Sequence, residues 1–319
     1  MLLATAGTLA ACGGGGNSSS APSVIAAPAP APTQTPTPTP TATSTNPDAN
    51  VPPLAQTPRE KYETLCDAQV GTDAPRLLAY GTGIDLGLDL TGDAPGYLQS
   101  VAPPHVRYGI QLGERDRAMA LPDLAFTARY DTGSYRLELR PPASGARTYL
   151  ATARLTQTAI TSPPFRYDCL YGNITPPPIW PNSGTVRYDA AIVGTLTAGQ
   201  GATAQPYQLG DSTGSIVVDQ ASGDVRVDLT LTGRVAGTTL PPAALGRYSG
   251  TLRRRADALY VGGFRGTLSA GDGITGSAEV VGTFYGPAAE ETGLIFRVDV
   301  TDPASGRRIE GSGYATARR

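Results

Sequence analysis

The chain has 319 residues, a formal net charge of −2 and a pI near 5.5, so nothing in its charge indicates a nucleic acid as partner. Its 39 glycines and 29 prolines argue against a helix-rich architecture. Residues 1–57 contain a single charged residue, Asp48, which leaves about 260 residues for one large or two modest globular domains.

The N-terminus has the features of an export signal. A short apolar run ends in LAAC at 9–12 and is followed by a stretch of glycine and serine. This pattern resembles a bacterial lipobox, in which the cysteine is lipidated and becomes the mature N-terminus, although the basic region of a signal peptide is missing. We therefore predict a lipoprotein signal peptide over 1–12 and lipidation of Cys12. The alternative is a free cysteine in a plain signal peptide.

Residues 13–57 consist of the Gly/Ser stretch and of Ala-Pro and Thr-Pro repeats. Such a composition buries no core, and its prolines favour extended geometry at about 3.1 Å per residue. We predict a disordered tether that reaches on the order of 100 Å from the membrane.

Two further cysteines, Cys66 and Cys169, lie near the two ends of the first half of the remaining chain. Export places a protein in an oxidising compartment, where cysteines pair. We predict a disulfide between them, and two buried free thiols are the alternative. Zinc binding is not expected, because two isolated cysteines without nearby histidines make a poor zinc site.

From Lys61 onward the sequence predicts β-strands. Residues 224–233 alternate strictly between apolar and polar side chains, as a half-buried antiparallel strand does, and DTG at 131–133 joins two strands into a hairpin. Short strands separated by glycine-rich turns favour a sandwich or a barrel. Further strands are predicted at 77–90, 105–112, 148–158, 185–196, 214–220, 247–253, 259–268, 276–285, 293–301 and 309–317.

The segment GNITPPPIWPNSG at 172–184 interrupts this pattern, because its closely spaced prolines exclude a central strand. We interpret it as the boundary between two β modules, residues 58–178 and 179–319. We expect Trp180 to pack at their junction.

Two glycine-rich motifs match catalytic or cofactor signatures only superficially. GDSTG at 210–214 fits the serine-hydrolase elbow, and GDGITG at 271–276 fits the dinucleotide-binding pattern, yet both patterns need a following helix. Strand-like sequence follows each, so we interpret both as turns. The single histidine, His105, and the lack of a visible carboxylate pair give acid–base catalysis no obvious residues, so we do not expect an enzyme.

Three aspartates, Asp85, Asp89 and Asp93, do not have the spacing of a calcium loop. His105 on its own is a weak candidate for a ligand to a metal or haem. No metal site and no cofactor are therefore assigned, and the cofactor-binding residues stay unknown.

The segment VGTFYGPAAEETGLIF at 281–296 places a helix-forming turn between two apolar strands. Pro287 suits a first helical position, and Glu290 and Glu291 suit the positive end of the helix dipole. Gly293 can adopt the left-handed conformation that ends a helix. We predict one short helix here, at one end of a barrel.

This segment, with the preceding strands RYSGTL and VGGFRGTL, resembles the C-terminal barrel of the transferrin-binding protein B superfamily over about 184–316. The resemblance implies an all-β fold: an irregular β handle, filled here by 58–178, followed by an eight-stranded antiparallel barrel with one short helix, at 179–319. The chain differs from the transferrin binders in having one such lobe rather than two.

The lipobox, the tether and the resemblance together lead to a functional hypothesis. We expect a surface-tethered outer-membrane lipoprotein that binds a ligand or protein, with iron or haem acquisition as one role. The resemblance implies a host or environmental protein or haem as ligand, and a TonB-dependent receptor and a surface-lipoprotein assembly modulator as partners. The alternatives are a structural or envelope-maintenance lipoprotein without a small-molecule ligand, and an integral membrane barrel, whose ionised side chains at 224–233 would have to line a lumen.

Overall fold

A computed structural model of the chain describes residues 61–71, 76–79, 84–89, 96–101, 106–112, 114–115, 124–131, 133–140, 149–159, 163–176, 180–255 and 263–319. These residues are almost entirely β-strand and form two antiparallel sheets, which confirms the predicted all-β fold class. The predicted signal peptide with Cys12, the tether, Asp93 and His105 lie outside the described residues. No helix in the described part is long and apolar enough to span a membrane.

The first sheet, which we call the handle, contains ten strands. They are β1 Lys61–Val70, β2 Arg76–Ala79, β3 Ile84–Asp89, β4 Gly96–Val101, β5 Val106–Gln111, β6 Glu114–Arg115, β7 Leu124–Tyr130, β8 Gly133–Arg140, β9 Leu150–Ala159 and β10 Phe165–Gly172. Their order across the sheet is β5-β4-β3-β1-β10-β9-β8-β7-β6, and β2 pairs with β1 outside this path. The two ends of this part of the chain, β1 and β10, are therefore neighbours.

The second sheet contains nine strands. They are β11 Thr185–Ala198, β12 Gln205–Gln208, β13 Thr213–Asp219, β14 Asp224–Val235, β15 Ala243–Arg253, β16 Gly263–Ala270, β17 Thr275–Tyr285, β18 Glu291–Asp302 and β19 Arg307–Arg318. Each strand except β12 pairs with the next in sequence, and β19 pairs back onto β11 through ten residue pairs. Eight strands thus close into a barrel, and β12 lies at one edge between β11 and β14.

Side-chain alternation explains why the barrel closes. In β14, Val225 and Val227 are fully buried, whereas Arg226 and Asp228 are exposed on the outer wall. Closure leaves none of the eight strands as a free edge and turns one face of every strand toward a shared core. That core is filled with side chains from all eight strands, including Tyr188, Leu229, Tyr248, Phe264, Phe284 and Phe296.

Two barrel strands are buried on both faces where they approach the turn at 286–290, because the handle covers the outside of the end of β17 and the start of β18. Val280 faces the barrel core, whereas its neighbour Val281 faces the handle. The cluster between handle and barrel, which we call the junction, comprises Leu65, Leu77, Leu150 and Leu170 from the handle and Val281, Tyr285 and Ile295 from the barrel. This double burial accounts for the nearly continuous apolar sequence on both sides of the turn at 286–290.

The short helix expected after Pro287 is not formed; the chain makes a tight turn instead. The ladder between β17 and β18 continues to the pair Tyr285 and Glu291, which leaves only five residues for the connection. Ala289 has a left-handed backbone, with φ of 57°, and stops any helical progression. Gly293, the expected C-terminal residue of the helix, lies within β18.

The turn nevertheless covers one end of the barrel, as the sequence predicted. The hydroxyl of Tyr188 donates a hydrogen bond of 2.6 Å to the carbonyl of Ala289, which is itself buried. The carboxylate of Glu290 accepts a hydrogen bond from the backbone N–H of Ala288. The one short helix in the described residues is a 3₁₀ turn at Gly201–Thr203.

Candidate functional site

The handle and the barrel are joined by backbone pairing as well as by apolar contact. Residues 173–175 run antiparallel to the end of β17: Thr175 N–H donates to the carbonyl of Phe284, and Gly286 N–H donates to that of Asn173. The hydroxyl of Thr175 adds a bond of 2.5 Å to the Gly286 carbonyl. The segment between the two sheets is therefore part of the junction.

A buried acid from the barrel adds a polar contact to the junction. Glu291 is 1% exposed, and its carboxylate accepts a hydrogen bond of 3.0 Å from the backbone N–H of Tyr149 in the handle. A buried carboxylate needs such partners, since leaving it unpaired is costly. Sequence reasoning assigned Glu291 to a helix dipole; its structural role is to fasten the handle to the barrel.

A second acid lies on the handle side of the junction. Asp67 of β1 is 4% exposed, and the hydroxyl of Ser312 of β19 donates a hydrogen bond to its Oδ2. Burial raises the pKa of Asp67 to about 6; the Ser312 hydrogen bond opposes this shift, the charge of Asp168 adds to it, and the charges of Arg166 and Arg297 oppose it.

The structure pairs Cys66 with Cys169 in a disulfide, with an S–S distance of 2.06 Å. The two residues face each other across β1 and β10, and both are buried on the face of the handle opposite to the junction. The bridge closes a stretch of 103 residues, so it links the first described strand to the last strand of the handle.

Trp180 packs against the barrel core at the end covered by the turn. Its ring contacts Phe284 edge-on at 6.0 Å, and its indole N–H donates to the carbonyl of Thr175. The guanidinium of Arg254 lies 4.4 Å from the ring centroid and also donates to the side chain of Gln220. These contacts close the barrel end, and Trp180 has a structural role.

An aromatic row follows one end of the handle, where the β7–β8 hairpin turns. The rings of Tyr130, Tyr135, Phe165 and Tyr167 contact one another in sequence, with centroid distances of 5.6, 6.2 and 4.6 Å. Tyr135 and Tyr167 are buried, whereas Tyr130 is 45% exposed. Tyrosine suits a protein-binding surface, since it offers an apolar ring and a polar tip at low entropic cost. The row is the best candidate binding surface among the described residues.

A shallow groove of about 350 Å³ lies on the outer wall of the barrel across β16, β17 and β18. Its charged side chains already have partners: Arg265 pairs with Glu279 at 2.7 Å, and Arg308 binds Asp299 through two nitrogens. Paired charges give the groove little net attraction for an ion. We therefore do not regard it as the binding site.

The described residues offer no evident catalytic or metal centre. They contain no group of three or more histidine, cysteine, aspartate or glutamate side chains that could hold a metal ion. Ser212 of GDSTG donates to the carbonyl of Thr232 and accepts from its N–H, so the hydroxyl is occupied in joining two strands. GDGITG is the β16–β17 turn, with left-handed Asp272 and Gly273 at its tip.

Sequence reasoning did not identify the junction acids, although a signal for Asp67 was present. Antiparallel partners have residue numbers with a constant sum, so pairing Cys66 with Cys169 also places Asp67 opposite Asp168. Had antiparallel strands been predicted around the two cysteines, the predicted disulfide would have implied this pair. The sequence contains no comparable signal for the exposure of Tyr130. A predicted hairpin does not show which of its side chains are covered by the neighbouring strands.

No protein-family model and no curated protein matches the chain. Solved structures of transferrin-binding protein B do match it. A mutant from Haemophilus parasuis is 11% identical, with 83% of this chain and 77% of that chain covered and a TM-score of 0.39. The protein from Actinobacillus pleuropneumoniae, also a mutant, is 11% identical, with 81% and 100% covered and a TM-score of 0.33. The protein from Neisseria meningitidis is 14% identical, with 79% and 57% covered and a TM-score of 0.37.

Proposed function

We propose that this chain is a lipid-anchored outer-membrane protein that faces the cell surface and binds another protein without catalysing a reaction. The lipobox ending at Cys12 and the proline-rich tether support the anchor and the distance from the membrane. The similar structures are of transferrin-binding protein B, and a binding role for this chain accords with that name. We also propose that the chain captures iron or haem beside a TonB-dependent receptor, and that a surface-lipoprotein assembly modulator exports it.

The observation that carries the binding role is the aromatic row at the end of the handle. Tyr130 is one of three large apolar side chains that are exposed among the described residues, and it is the one that continues into a buried aromatic cluster. A rigidly supported aromatic side chain loses little freedom on binding, as binding hot spots require. The barrel core, by contrast, is filled with side chains, so the proposed ligand is a protein that contacts the outside of the handle.

Capture from intact cells tests this proposal. Cells that display the wild-type chain are incubated with host or environmental protein mixtures, and the bound proteins and any haem are identified by mass spectrometry. We expect Tyr130→Ala to weaken capture of the recovered partner by about tenfold or more, the usual effect of losing a hot-spot aromatic. Leu240→Ala is the matched control, since Leu240 is exposed on a loop of the barrel and should leave capture unchanged.

Protease treatment of intact cells tests the proposed location. We expect the chain to be degraded while a periplasmic marker survives, and a Cys12→Ser variant to be released from the membrane fraction. Survival of the chain under these conditions, together with no recovered protein or haem, would contradict the proposal. It would favour the alternative, a structural lipoprotein that faces the periplasm.

A further inference from the structure

Two carboxylates face each other at the junction, and only one of them has cationic hydrogen-bond donors. Asp67 of β1 lies directly opposite Asp168 of β10. The carboxylate of Asp168 forms ion pairs with two guanidinium groups, at 2.5 Å from Nε of Arg154 and at 2.9 Å from Nε of Arg166. Neither guanidinium reaches Asp67. Its Oδ2 accepts from the hydroxyl of Ser312, and its Oδ1 has no hydrogen-bond partner among the described residues.

The charged groups around Asp67 come from both sides of the junction. From the handle, Asp168 adds negative charge and Arg166 adds positive charge; from the barrel, Arg297 of β18 adds positive charge. Arg297 lies beside Ser312 in the β18–β19 ladder, and its nearest ion pair is with Asp299 at 3.7 Å. Asp67 is thus a desolvated acid. It has one neutral hydrogen-bond donor, and it faces a second carboxylate.

We propose that the contact between handle and barrel is proton-linked through Asp67, so that protonation of this carboxyl tightens the junction and ionisation loosens it. The physical reason is desolvation: a buried neutral acid costs far less than a buried carboxylate with an unpaired oxygen. When the handle separates from the barrel, water reaches Asp67 and its negative charge becomes favourable. The device acts on the junction, where the two sheets meet, and leaves the barrel core unaffected.

The direction of the effect follows from the pKa. In the closed junction the pKa of Asp67 is raised to about 6 from the ordinary value of 3.8. The closed state therefore binds more protons than the open state between these values, and closure is favoured as the pH falls through about 6. Above that pH the cost of the buried charge is fully present. Between pH 7.5 and pH 5, a shift of this size changes the closing equilibrium by about tenfold.

Hydrogen exchange at the junction tests the proposal on the full chain. The amides of Tyr149, Thr175 and Gly286 report closure, because each is hydrogen-bonded across the junction. After correction for the intrinsic effect of pH on exchange, we expect their protection to fall about tenfold between pH 5 and pH 7.5. In Asp67→Asn, protection should stay at the pH 5 level over the whole range, since the carboxamide cannot ionise.

Two further variants keep the test decisive. Asp228→Asn removes an exposed carboxylate from the outer wall of β14 and should retain the wild-type pH response. Ser312→Ala removes the hydrogen bond that favours the ionised form, so the midpoint of the response should move to higher pH. The proposal is wrong if Asp67→Asn keeps the wild-type pH response, or if the Ser312→Ala midpoint does not move.

Discussion

Val281 and Ile295 are partners across β17 and β18, and both side chains point out of the barrel into the junction with the handle. Their neighbours Val280 and Phe296 form the next pair of the same ladder and point into the barrel core. The outer wall of the barrel is thus divided into a part covered by the handle and a part that faces solvent. Equivalent substitutions should have different effects in the two parts.

Val281→Ala should lower the free energy of unfolding by about 2 kcal/mol, because it removes buried methyl groups and leaves a cavity in the junction. Val193→Ala is the matched control: Val193 also lies on the outer wall but is 47% exposed, whereas Val281 is 2% exposed. Its effect should be within about 0.5 kcal/mol. Urea denaturation measures both, and equal effects would mean that the handle does not cover β17 in solution.

Gly282→Ala should cost about 1–3 kcal/mol, the range typical of overpacking. A Cβ at Gly282 would overlap the ring of Phe264, which is buried in the barrel core and cannot swing away. Gly210→Ala is the control, since a Cβ there meets nothing within 4 Å and its backbone is not left-handed. Thermal unfolding of the two variants should separate them, and a stable Gly282→Ala would contradict the close packing of this ring.

The disulfide predicts a dependence on redox conditions. Reduction, or a Cys66→Ala, Cys169→Ala double variant, should lower the free energy of unfolding by about 2–5 kcal/mol, because the unfolded chain gains freedom over a long loop. Unfolding with and without dithiothreitol measures the loss, and peptide mapping under non-reducing conditions identifies the bridge. Free thiols at both positions in protein isolated from the envelope would show that the chain does not encounter an oxidising compartment.

Ser212→Ala tests whether GDSTG has a structural or a catalytic role. The hydroxyl makes two hydrogen bonds of 2.8 Å with the backbone of Thr232, so its loss should cost about 1 kcal/mol and leave partner capture unchanged. The control is Ser249→Ala, on an exposed strand position of β15, which should be nearly neutral. An esterase activity that disappears in Ser212→Ala alone would overturn the structural interpretation.

The sequence allowed prediction of the elements whose side chains alternate cleanly. Residues 224–233 form part of β14 as expected, and the DTG hairpin joins β7 to β8. The segment 77–90, predicted as one strand, is divided into β2 and β3. The predicted strands did not include β1, β4, β6, β10 and β12. Strand β12 was missed because it has four residues and contains Pro206, which the pattern associates with loops.

The junction was beyond prediction, because it depends on which faces of the two sheets meet. A single sequence shows that β17 and β18 are apolar on both faces near the turn, but not that Leu150 and Leu170 of the handle cover them there. The missing helix has a related cause. Pro287 and the two glutamates favour a helical turn locally. The β17–β18 ladder, however, extends to Glu291, so too few residues remain between the strands for a helix. Tertiary pairing outweighed local preference there.

The position of β1 has a mechanical consequence for a tethered protein. If an N-terminal lipid anchor held the chain while a partner pulled on the handle, the load would reach the first described strand, β1, at Lys61. That strand lies inside its sheet, where it pairs with β2, β3 and β10, and it is covalently bonded to β10 through Cys66. A pull along its axis must shear three hydrogen-bonded ladders, and the disulfide keeps the strand attached to β10. A load applied in this way would therefore act on all the ladders of β1 at once rather than on one residue pair at a time.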